Sequence, residues 1–564
     1  MAERGLALRG SQEKIGDPTN GNFLGFMEVL AKFDPILGDH VNNIKASQEN
    51  PGTRMPAHYM SKTIQNELIE VAGNFVLDNI VNEVKKAKYF AITVDGTPDI
   101  SHDEQISFVL RYLLHNGSSF SIEERFISFE NFSKKTGHEI ARKIVGYVGE
   151  LGLQFEDCIG QTYDNGSNMS GKYNGARAVI TAEYADCLYS SCANHTLNLV
   201  GVECAKSCRD AVTFFGVIQR LYTIFSGSPT RWEILKQHIG VSLHQTSTTR
   251  WSARIDAVRP IARHFDNIRK AVDELTKATN LTPECRADII GIKTYFQTFE
   301  SLIMASIWVK VLSAIHDTNL VIQYRDATLD VERDNIKSLL KTMQDLRENW
   351  PQIVNEATIV ATNVQLTSEF AKRRRGDSQE EAKNNFKTDV FYVIIDSIIS
   401  GLTQRFEAVV TICNRFDFLW CFKDIKETEL KEKAAQFHKT YSRHVSPHIE
   451  SEILSLKSVY DANFKAETPR PKELYGEIHD MGLNALFPNV LTALRIFLTL
   501  PASVASNERS FSVLKRIKNY LRSNMAQERL NGLATLNINS DKARQLDFTK
   551  LIDIFAKKKA RKCI

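Results

Sequence analysis

Residues 90–164 constrain the fold most, because they combine four strand patterns with a single helical crossover. The first three patterns are FAITVDG, QISFVLRYLL and RFISFENF, and an Asn-Gly turn at 116–117 lies between the last two. A helical stretch at 138–151 then leads into the fourth strand, CIGQTYD, at 158–164. A crossover of this length permits the fourth strand to pair in parallel with the first, and the sequence therefore predicts an α/β layer.

Helical periodicity dominates the rest of the chain. Apolar residues at 59–88 recur at helical spacing and predict one long helix or two short ones. Further helical stretches are predicted at 212–225, 255–275, 288–315, 331–349 and 389–416. The predicted organisation is an irregular lead-in at 1–55, a first α/β part at 56–205, a helical insertion at 206–487, a closing helical part at 488–545 and a basic tail at 546–564.

Composition excludes several classes of protein. With 564 residues and 43% hydrophobic residues, the chain can bury several cores and is neither disordered nor fibrous. The net charge, 71 basic minus 67 acidic residues or +4, is too small to identify a nucleic-acid partner. The absence of a long apolar run and of a secretory signal predicts a soluble, intracellular protein with no membrane partner. The nine cysteines lack the spacing of a disulfide framework and predict reduced thiols.

Two aspartates end strands that we expect to be neighbours. Asp95 ends the first strand and Asp164 ends the fourth, so parallel pairing places both at one edge of the sheet. Adjacent carboxylates repel unless a cation lies between them, and their hard oxygen atoms suit Mg²⁺. The alternative is that each aspartate only starts a turn, which is the better interpretation of one aspartate alone. Asp99 and Asp103 are nearby acidic residues of the same kind.

A third acidic residue, Glu508, opens a predicted helix that runs through residue 521. One stripe of this helix is polar and contains Glu508, Ser512, Lys515, Asn519 and Arg522. A separate arc is apolar and contains Phe511, Leu514, Ile517 and Leu521. The polar stripe faces a cleft or solvent, or Glu508 only complements the helix dipole. The apolar arc forms either a dimer interface or part of the protein's own core.

Four blocks of sequence resemble hAT superfamily DNA transposases. LPASVASNERSFSVLKRIKNYLRSNMAQERLNGLATLNI at 500–538 resembles their C-terminal dimerisation region. AKYFAITVDGTPDISHDEQISFVLRY, TYDNGSNMSGKYNGARAVI and CANHTLNLV, which begin at residues 87, 162 and 192, resemble their first catalytic half. The resemblance spans about residues 20–545 and is greatest to the zinc finger MYM-type-like branch.

This resemblance implies an RNase H-like mixed sheet that is interrupted by an all-helical insertion and closed by C-terminal helices. The interval from Asp164 to Glu508, 508 minus 164 or 344 residues, accommodates that insertion. The resemblance also implies that Asp95, Asp164 and Glu508 form a catalytic triad that binds two Mg²⁺ or Mn²⁺ ions. In such a site one ion activates water or a 3′-hydroxyl and the other stabilises the leaving oxygen. The implied partners are double-stranded DNA at transposon ends and a second copy of the chain.

The resemblance extends to other residues. Cys192 and His195 match a Cys-x-x-His pair that supports the active site. The alternative is a zinc site with Cys204 and Cys208, but this spacing fits no common finger, and we expect no structural zinc.

Contacts with DNA are also implied. Arg250 and Trp251 match a pair in which the indole stacks on an unpaired base and the guanidinium holds phosphate; the alternative is a buried tryptophan on an insertion helix. Lys515 and Arg522 are further candidates for DNA contact, although such residues usually form a solvated face.

Two hypotheses of function follow. The first is a transposase or transposase-derived nuclease in the nucleus, and basic clusters at 372–375 and 557–562 fit nuclear import or phosphate contacts. The second is a catalytically silent nuclear protein that acts through dimerisation and through binding DNA or protein. Intact acidic residues favour the first hypothesis. The lack of cysteines before Asp95, where relatives carry a zinc-binding module, favours the second.

Overall fold

The computed structural model of the chain describes residues 1–50, 58–117, 119–131, 136–164, 166–246, 254–278, 281–372, 374–465, 467–520 and 522–560. The chain forms two units. The first contains Met1–Ser191 and Arg415–Ile564, and the second contains Cys192–Asn414.

The described residues of the first unit form a five-stranded mixed sheet. Its strands are β1 (Phe90–Pro98), β2 (Glu104–Asn116), β3 (Ser119–Asn131), β4 (Cys158–Tyr163) and β5 (Leu188–Ser191). In the order β3-β2-β1-β4-β5, the first three strands are antiparallel, while β1, β4 and β5 are parallel. The predicted α/β layer with parallel pairing of the first and fourth strands is confirmed. The short strand β5 was not predicted, because four residues carry too little alternation to be recognised.

Six helices precede or follow the strands of this sheet in the described N-terminal part. They are α1 (Asn22–Leu30), α2 (Pro35–Glu49), α3 (Lys62–Ala87), α4 (Gly137–Glu150), α5 (Ser167–Ser170) and α6 (Ala176–Glu183). The single helix α3 agrees with the first of the two alternatives predicted for residues 59–88. The lead-in predicted to be irregular contains α1 and α2. Its turn-forming residues mark helix ends instead, since Asp34 accepts the backbone N–H groups of Ile36 and Leu37 and Pro35 begins α2.

The described residues of the second unit are helical. The helices are α7 (Ala193–Cys204), α8 (Arg209–Ser226), α9 (Pro229–Ile239), α10 (Arg254–Arg263), α11 (Phe265–Thr276), α12 (Pro283–Phe296), α13 (Phe299–Ile322), α14 (Leu329–Glu348), α15 (Trp350–Asn363), α16 (Gln379–Phe386) and α17 (Tyr392–Phe416). A π-helical turn, Lys387–Phe391, joins α16 to α17. The predicted stretches 255–275 and 288–315 are each a pair of helices rather than one.

Helix α13 is the one helix in the described part of the chain that is long and apolar enough to cross a membrane by length and composition. It nevertheless carries Glu300, Lys310 and Asp317, and 61% of its most apolar window is buried inside the protein. Trp308, in its middle, is fully buried and packs edge-on against Phe215 of α8 with the ring centroids 4.7 Å apart. A core helix of a soluble protein has this composition, so α13 is weak evidence for a membrane span.

Eight further α-helices belong to the first unit in the described residues that follow α17. They are α18 (Glu427–Thr440), α19 (Ile449–Asn463), α20 (Pro471–Asp480), α21 (Pro488–Thr499), α22 (Ala505–Ile517), α23 (Gln527–Ile538), α24 (Ser540–Ala543) and α25 (Phe548–Ala560). Helices α18–α20 therefore belong to the unit of the sheet, although the predicted insertion extended to residue 487. Tyr475 of α20, for example, forms a 2.5 Å hydrogen bond with His115 of β2. Periodicity shows which helix face is apolar, but not what that face packs against.

Candidate functional site

Asp95 and Asp164 lie where the parallel pairing of β1 with β4 ends. The register pairs Val94 with Tyr163, so each aspartate is the next residue beyond that pair. Both side chains are half-buried. Asp95 Oδ1 accepts the backbone N–H of Gly96 at 2.9 Å, and Asp164 Oδ1 accepts a backbone N–H two residues along the chain at 3.2 Å. The sheet thus places the two predicted strand-end aspartates on neighbouring strands at one edge.

Glu508 lies in the first turn of α22, and the residue before it fastens this turn to the sheet. Asn507 is buried, and its Nδ2 donates to the backbone carbonyls of Thr93 and Ser107 at 3.0 and 2.8 Å. Its Oδ1 accepts the Thr93 hydroxyl at 2.7 Å. One turn later, the Ser510 hydroxyl donates to the Ser107 hydroxyl at 2.8 Å. These contacts form a buried polar clamp between α22 and strands β1 and β2.

The clamp was not predicted, although the sequence carried a signal for it. Thr93 and Ser107 are polar residues inside strands that are otherwise buried, and such residues require hydrogen-bond partners. Thr93 and Asp95 lie on the same face of β1, since they are two residues apart. By holding Thr93, Asn507 brings the next residue, Glu508, toward Asp95.

The three carboxylates interact electrostatically. Burial raises the pKa of Asp95 to about 7, and the negative charges of Asp164 and Glu508 act in the same direction, against the hydrogen bond from Gly96. Burial and the neighbouring negative charges therefore favour the protonated form of Asp95. A cation at this position would favour the ionised carboxylate.

The donors fit Mg²⁺ or Mn²⁺ by their chemistry, because these ions prefer carboxylate oxygens. Among the residues that the structure describes, no three His, Cys, Asp or Glu side chains lie close enough together to hold a metal ion. The acidic residues are therefore near enough to shift the pKa of Asp95, but they do not form a closed coordination set.

Asp99 forms an ion pair with a lysine and is not part of this acidic group. It forms a buried ion pair with Lys518, in which 1% of the aspartate side chain and 5% of the lysine side chain are exposed. Asp103, which is exposed, lies 3.6 Å from the same ammonium group. Helix α22 ends at Ile517 rather than near residue 521, because Lys518 leaves the helix with an extended backbone and enters this pair. The predicted polar stripe is therefore shorter than expected, and Asn519 and Arg522 lie beyond the helix.

The apolar arc of α22 belongs to the protein's own core. Phe511, Leu514 and Ile517 are buried together with residues of the sheet and of α3. Of the two alternatives for this arc, the structure places these residues in core closure. Leu521 lies outside the described residues. On the polar side, Lys515 is exposed and Arg522 is half-buried.

Cys192 and His195 belong to the second unit. Cys192 is buried immediately before α7, and His195 is half-buried in the first turn of that helix. The backbone carbonyl of Cys192 accepts the Thr196 hydroxyl at 2.8 Å. Cys204, at the end of α7, is buried and its thiol donates to the backbone carbonyl of Ile394 at 3.3 Å.

Arg250 and Trp251 lie outside the described residues, but the segments on either side of them line a cavity of about 240 Å³. Two histidines and two arginines contribute to its wall, together with one carboxylate: His244, Asp256, Arg259, Arg263 and His264. The excess of basic groups is suited to an anion.

Two family models match the chain. Residues 1–175 match the model described as the ZMYM1/FAM200, RNase-like domain, and residues 482–541 match the hAT family C-terminal dimerisation region. The chain therefore carries an RNase-like domain of this kind and a hAT dimerisation region. The predicted resemblance is confirmed, and the second match supports self-association.

Two curated relatives resemble most of the chain. Both carry the name "52 kDa repressor of the inhibitor of the protein kinase". The protein from Homo sapiens is 22% identical over 527 residues, which cover 88% of this chain and 68% of the relative. The protein from Mus musculus is 21% identical over 535 residues, with the same shares of the two chains.

Proposed function

We propose that this protein is a hAT-derived nuclease of the RNase H-like type, in which Asp95, Asp164 and Glu508 hold two Mg²⁺ or Mn²⁺ ions. The observation that carries the proposal is the placement of Asp95 and Asp164 on neighbouring strands at one edge of the sheet, with Glu508 on the helix turn that Asn507 fastens to that sheet. Burial and the two other carboxylates also raise the pKa of Asp95. Such a cluster of half-buried acidic groups at the carboxyl edge of a sheet is costly unless it serves a charged ligand.

In this proposal the acidic residues act by binding the two metal ions. Two bound divalent ions would supply an activated water or 3′-hydroxyl and would stabilise the leaving oxygen of a phosphodiester. Asp95 must lose its proton before it can act as a ligand. Asn507 fastens the first turn of α22 to the sheet, and this turn carries the third carboxylate, Glu508. No covalent protein nucleophile is required.

The remaining residues serve DNA in this proposal. Arg250 holds a phosphate and Trp251 stacks on an unpaired base, while Lys515 and Arg522 contact the DNA backbone. Cys192 and His195 support the active site. The protein acts in the nucleus on double-stranded DNA as a homodimer or higher oligomer.

A second candidate is a silent nuclear regulator that binds DNA or protein and dimerises without cutting. The separation of the acidic residues favours it, since the described residues include no group of three ligands able to hold a metal. The names of the two curated relatives, which describe repressors, also support it.

Cleavage of labelled, pre-nicked or branched DNA duplexes with Mg²⁺ or Mn²⁺ distinguishes the two candidates. We expect the wild type to cut, and Asp95→Asn, Asp164→Asn and Glu508→Gln each to reduce cutting at least about a hundredfold. Asp103→Asn is the matched control, because it removes an exposed carboxylate immediately before β2. A folded wild type that binds DNA and dimerises without cutting would support the regulator instead.

A further inference from the structure

Two arginines, Arg9 and Arg529, meet near the start of α3, and a third, Arg522, lies close enough to Arg529 to interact with it electrostatically. Arg9 Nη2 donates to the side-chain oxygen of Asn66 at 2.5 Å and to the backbone carbonyl of Lys62 at 2.8 Å. Arg529 donates to the same oxygen of Asn66. Arg522 lies close enough to lower the pKa of Arg529 and donates to the backbone carbonyl of Arg516. We call Arg9, Arg522 and Arg529 the arginine cluster.

The arginine cluster lacks a compensating anion within the described part of the chain. All of the acceptors just named are neutral oxygens, and no described carboxylate forms an ion pair with any of the three side chains. The Nε of Arg9 is buried without a hydrogen-bond partner among the described atoms. Burial, together with the charges of Arg9 and Arg522, lowers the pKa of Arg529 to about 10. Like charges are thus held together at an electrostatic cost that an anion would remove.

Arg529 lies on a helix whose start is anchored near the end of β1. Arg529 is in the first turn of α23, where the helix dipole also favours an anion. Two residues earlier, Gln527 donates to the side-chain oxygen of Gln105 at 3.1 Å. Gln105 pairs with Thr97, which is two residues beyond Asp95 on β1. The start of α23 is therefore anchored close to the end of β1 at which the carboxylates lie.

We propose that Arg9, Arg522 and Arg529 bind a backbone phosphate of DNA beside the acidic site. Guanidinium groups match phosphate oxygens with paired hydrogen bonds, and the two that converge on Asn66 can hold the two non-bridging oxygens of one phosphodiester, with Arg522 adding a third positive charge nearby. The identity of the ligand as DNA rests on the proposed function. The phosphate-binding property of the cluster rests only on the contacts described above.

The test measures binding of a labelled DNA duplex in EDTA, so that cleavage does not contribute. Arg529→Ala and Arg9→Ala are each expected to raise Kd about tenfold at 100 mM salt. The slope of log Kd against log salt should fall by about 0.9 for each lost phosphate contact. Arg142→Ala, which removes an exposed arginine of α4 with no described partner, is the control for the loss of one charge.

Asn66→Asp provides a second, more selective variant. It places a carboxylate where Arg9 and Arg529 already converge, without changing the size of the side chain. We expect it to raise Tm, since it relieves the repulsion among the arginines, and at the same time to weaken DNA binding, since it occupies the cluster. A folding defect cannot produce this combination, because the variant is more stable than the wild type.

Three results would overturn the proposal. The first is unchanged DNA affinity in Arg529→Ala and Asn66→Asp, which would make the cluster purely structural. The second is binding of inorganic phosphate or ATP that raises Tm of the wild type but not of Arg529→Ala, without any effect of the cluster on DNA; the ligand would then be a free phosphate compound. The third is an equal loss of affinity in Arg142→Ala. Cluster-dependent DNA binding without cleavage would support this proposal while contradicting the nuclease.

Discussion

At the scale of single residues, Asp95 links the candidate site to the stability of the protein. Its pKa in the folded chain, about 7, lies above the ordinary aspartate value of 3.8. Between these two values the folded state holds a proton that the unfolded state has released, so stability falls as pH rises through this window. Above pH 7 the carboxylate is ionised in both states, and the destabilisation remains constant.

Replacing Asp95 tests this linkage. We expect Asp95→Asn to melt at the same temperature as the wild type near pH 4 and at least about 2 °C higher at pH 8, with the difference growing between them. Thermal melts in EDTA from pH 4 to 8 measure it, and added Mg²⁺ should reduce the difference at pH 8 if the ion binds here. A difference that does not depend on pH would contradict the proposed burial and repulsion of Asp95. Asp103→Asn, at an exposed carboxylate, should show no such trend.

Asn507 makes a second residue-scale prediction. Asn507→Ala removes three buried hydrogen bonds with Thr93 and Ser107, so we expect the free energy of unfolding to fall by roughly 2–4 kcal/mol. Urea unfolding measures this loss. Asn463→Ala, at an exposed asparagine that bonds only within its own helix, should change it by less than about 0.5 kcal/mol. Equal effects of the two substitutions would show that the clamp contributes nothing specific.

Only part of the site could be predicted from the sequence. The positions of Asp95 and Asp164 could be predicted, because the strand patterns that they end and the helical crossover between those strands are visible in the sequence. Glu508 could be assigned only through resemblance to a family, because it lies 344 positions after Asp164 in the sequence and no local pattern links the two. Asn507 was missed for the same reason, since no local pattern pairs it with Thr93, a residue 414 positions earlier.

At the scale of elements, α3 and α23 cross at two glycines. A Cβ atom on Gly532 would lie 2.8 Å from Cγ2 of Ile69 and 3.1 Å from its carbonyl oxygen, and a Cβ on Gly73 would lie 3.0 Å from Gly532 Cα. The two backbones can therefore approach this closely only because Gly73 and Gly532 have no side chains. The helices hold the C-terminal region against the core that contains the sheet.

Two glycine substitutions test this crossing. We expect Gly532→Ala to lower the free energy of unfolding by about 1–3 kcal/mol through overpacking. Gly146→Ala, in α4, is a matched control: its Cβ would meet nothing within 4 Å, so better helix propensity should raise stability by about 0.5–1 kcal/mol. Chemical denaturation of the two variants gives the comparison. Stabilisation by both substitutions would mean that the helices do not cross this closely.

The elements show why some boundaries cannot be derived from local sequence. Apolar periodicity indicated α22 but extended it to residue 521, whereas a buried ion pair of Lys518 with Asp99 ends the helix at Ile517. Apolar periodicity cannot predict an ion pair between residues that are 419 positions apart in the sequence. The turn-forming residues Asp34 and Pro35 suggested irregular structure, while in the protein they begin helix α2.

At the scale of the whole molecule, the dimerisation region and the core share residues. Leu514 lies within the matched region and is buried in the core of the first unit. Leu514→Ala should therefore lower the free energy of unfolding by about 2–5 kcal/mol and should not yield a folded monomer. Sedimentation and thermal melts together measure this outcome. Tyr520→Ser, at a side chain that is 80% exposed, should leave stability within about 0.5 kcal/mol. A stable, folded monomer of Leu514→Ala would instead place this residue in the interface.

The second unit should fold without the first. Residues 192–414 are continuous in the chain and enclose their own apolar interior, in which Trp308 of α13 packs against Phe215. We expect the isolated fragment to be helical by circular dichroism and to unfold cooperatively without detergent, because α13 is covered by its neighbours. Trp308→Ala should lower its free energy of unfolding by about 3–5 kcal/mol. A fragment that is soluble only in detergent would mean that α13 requires an apolar environment outside this unit.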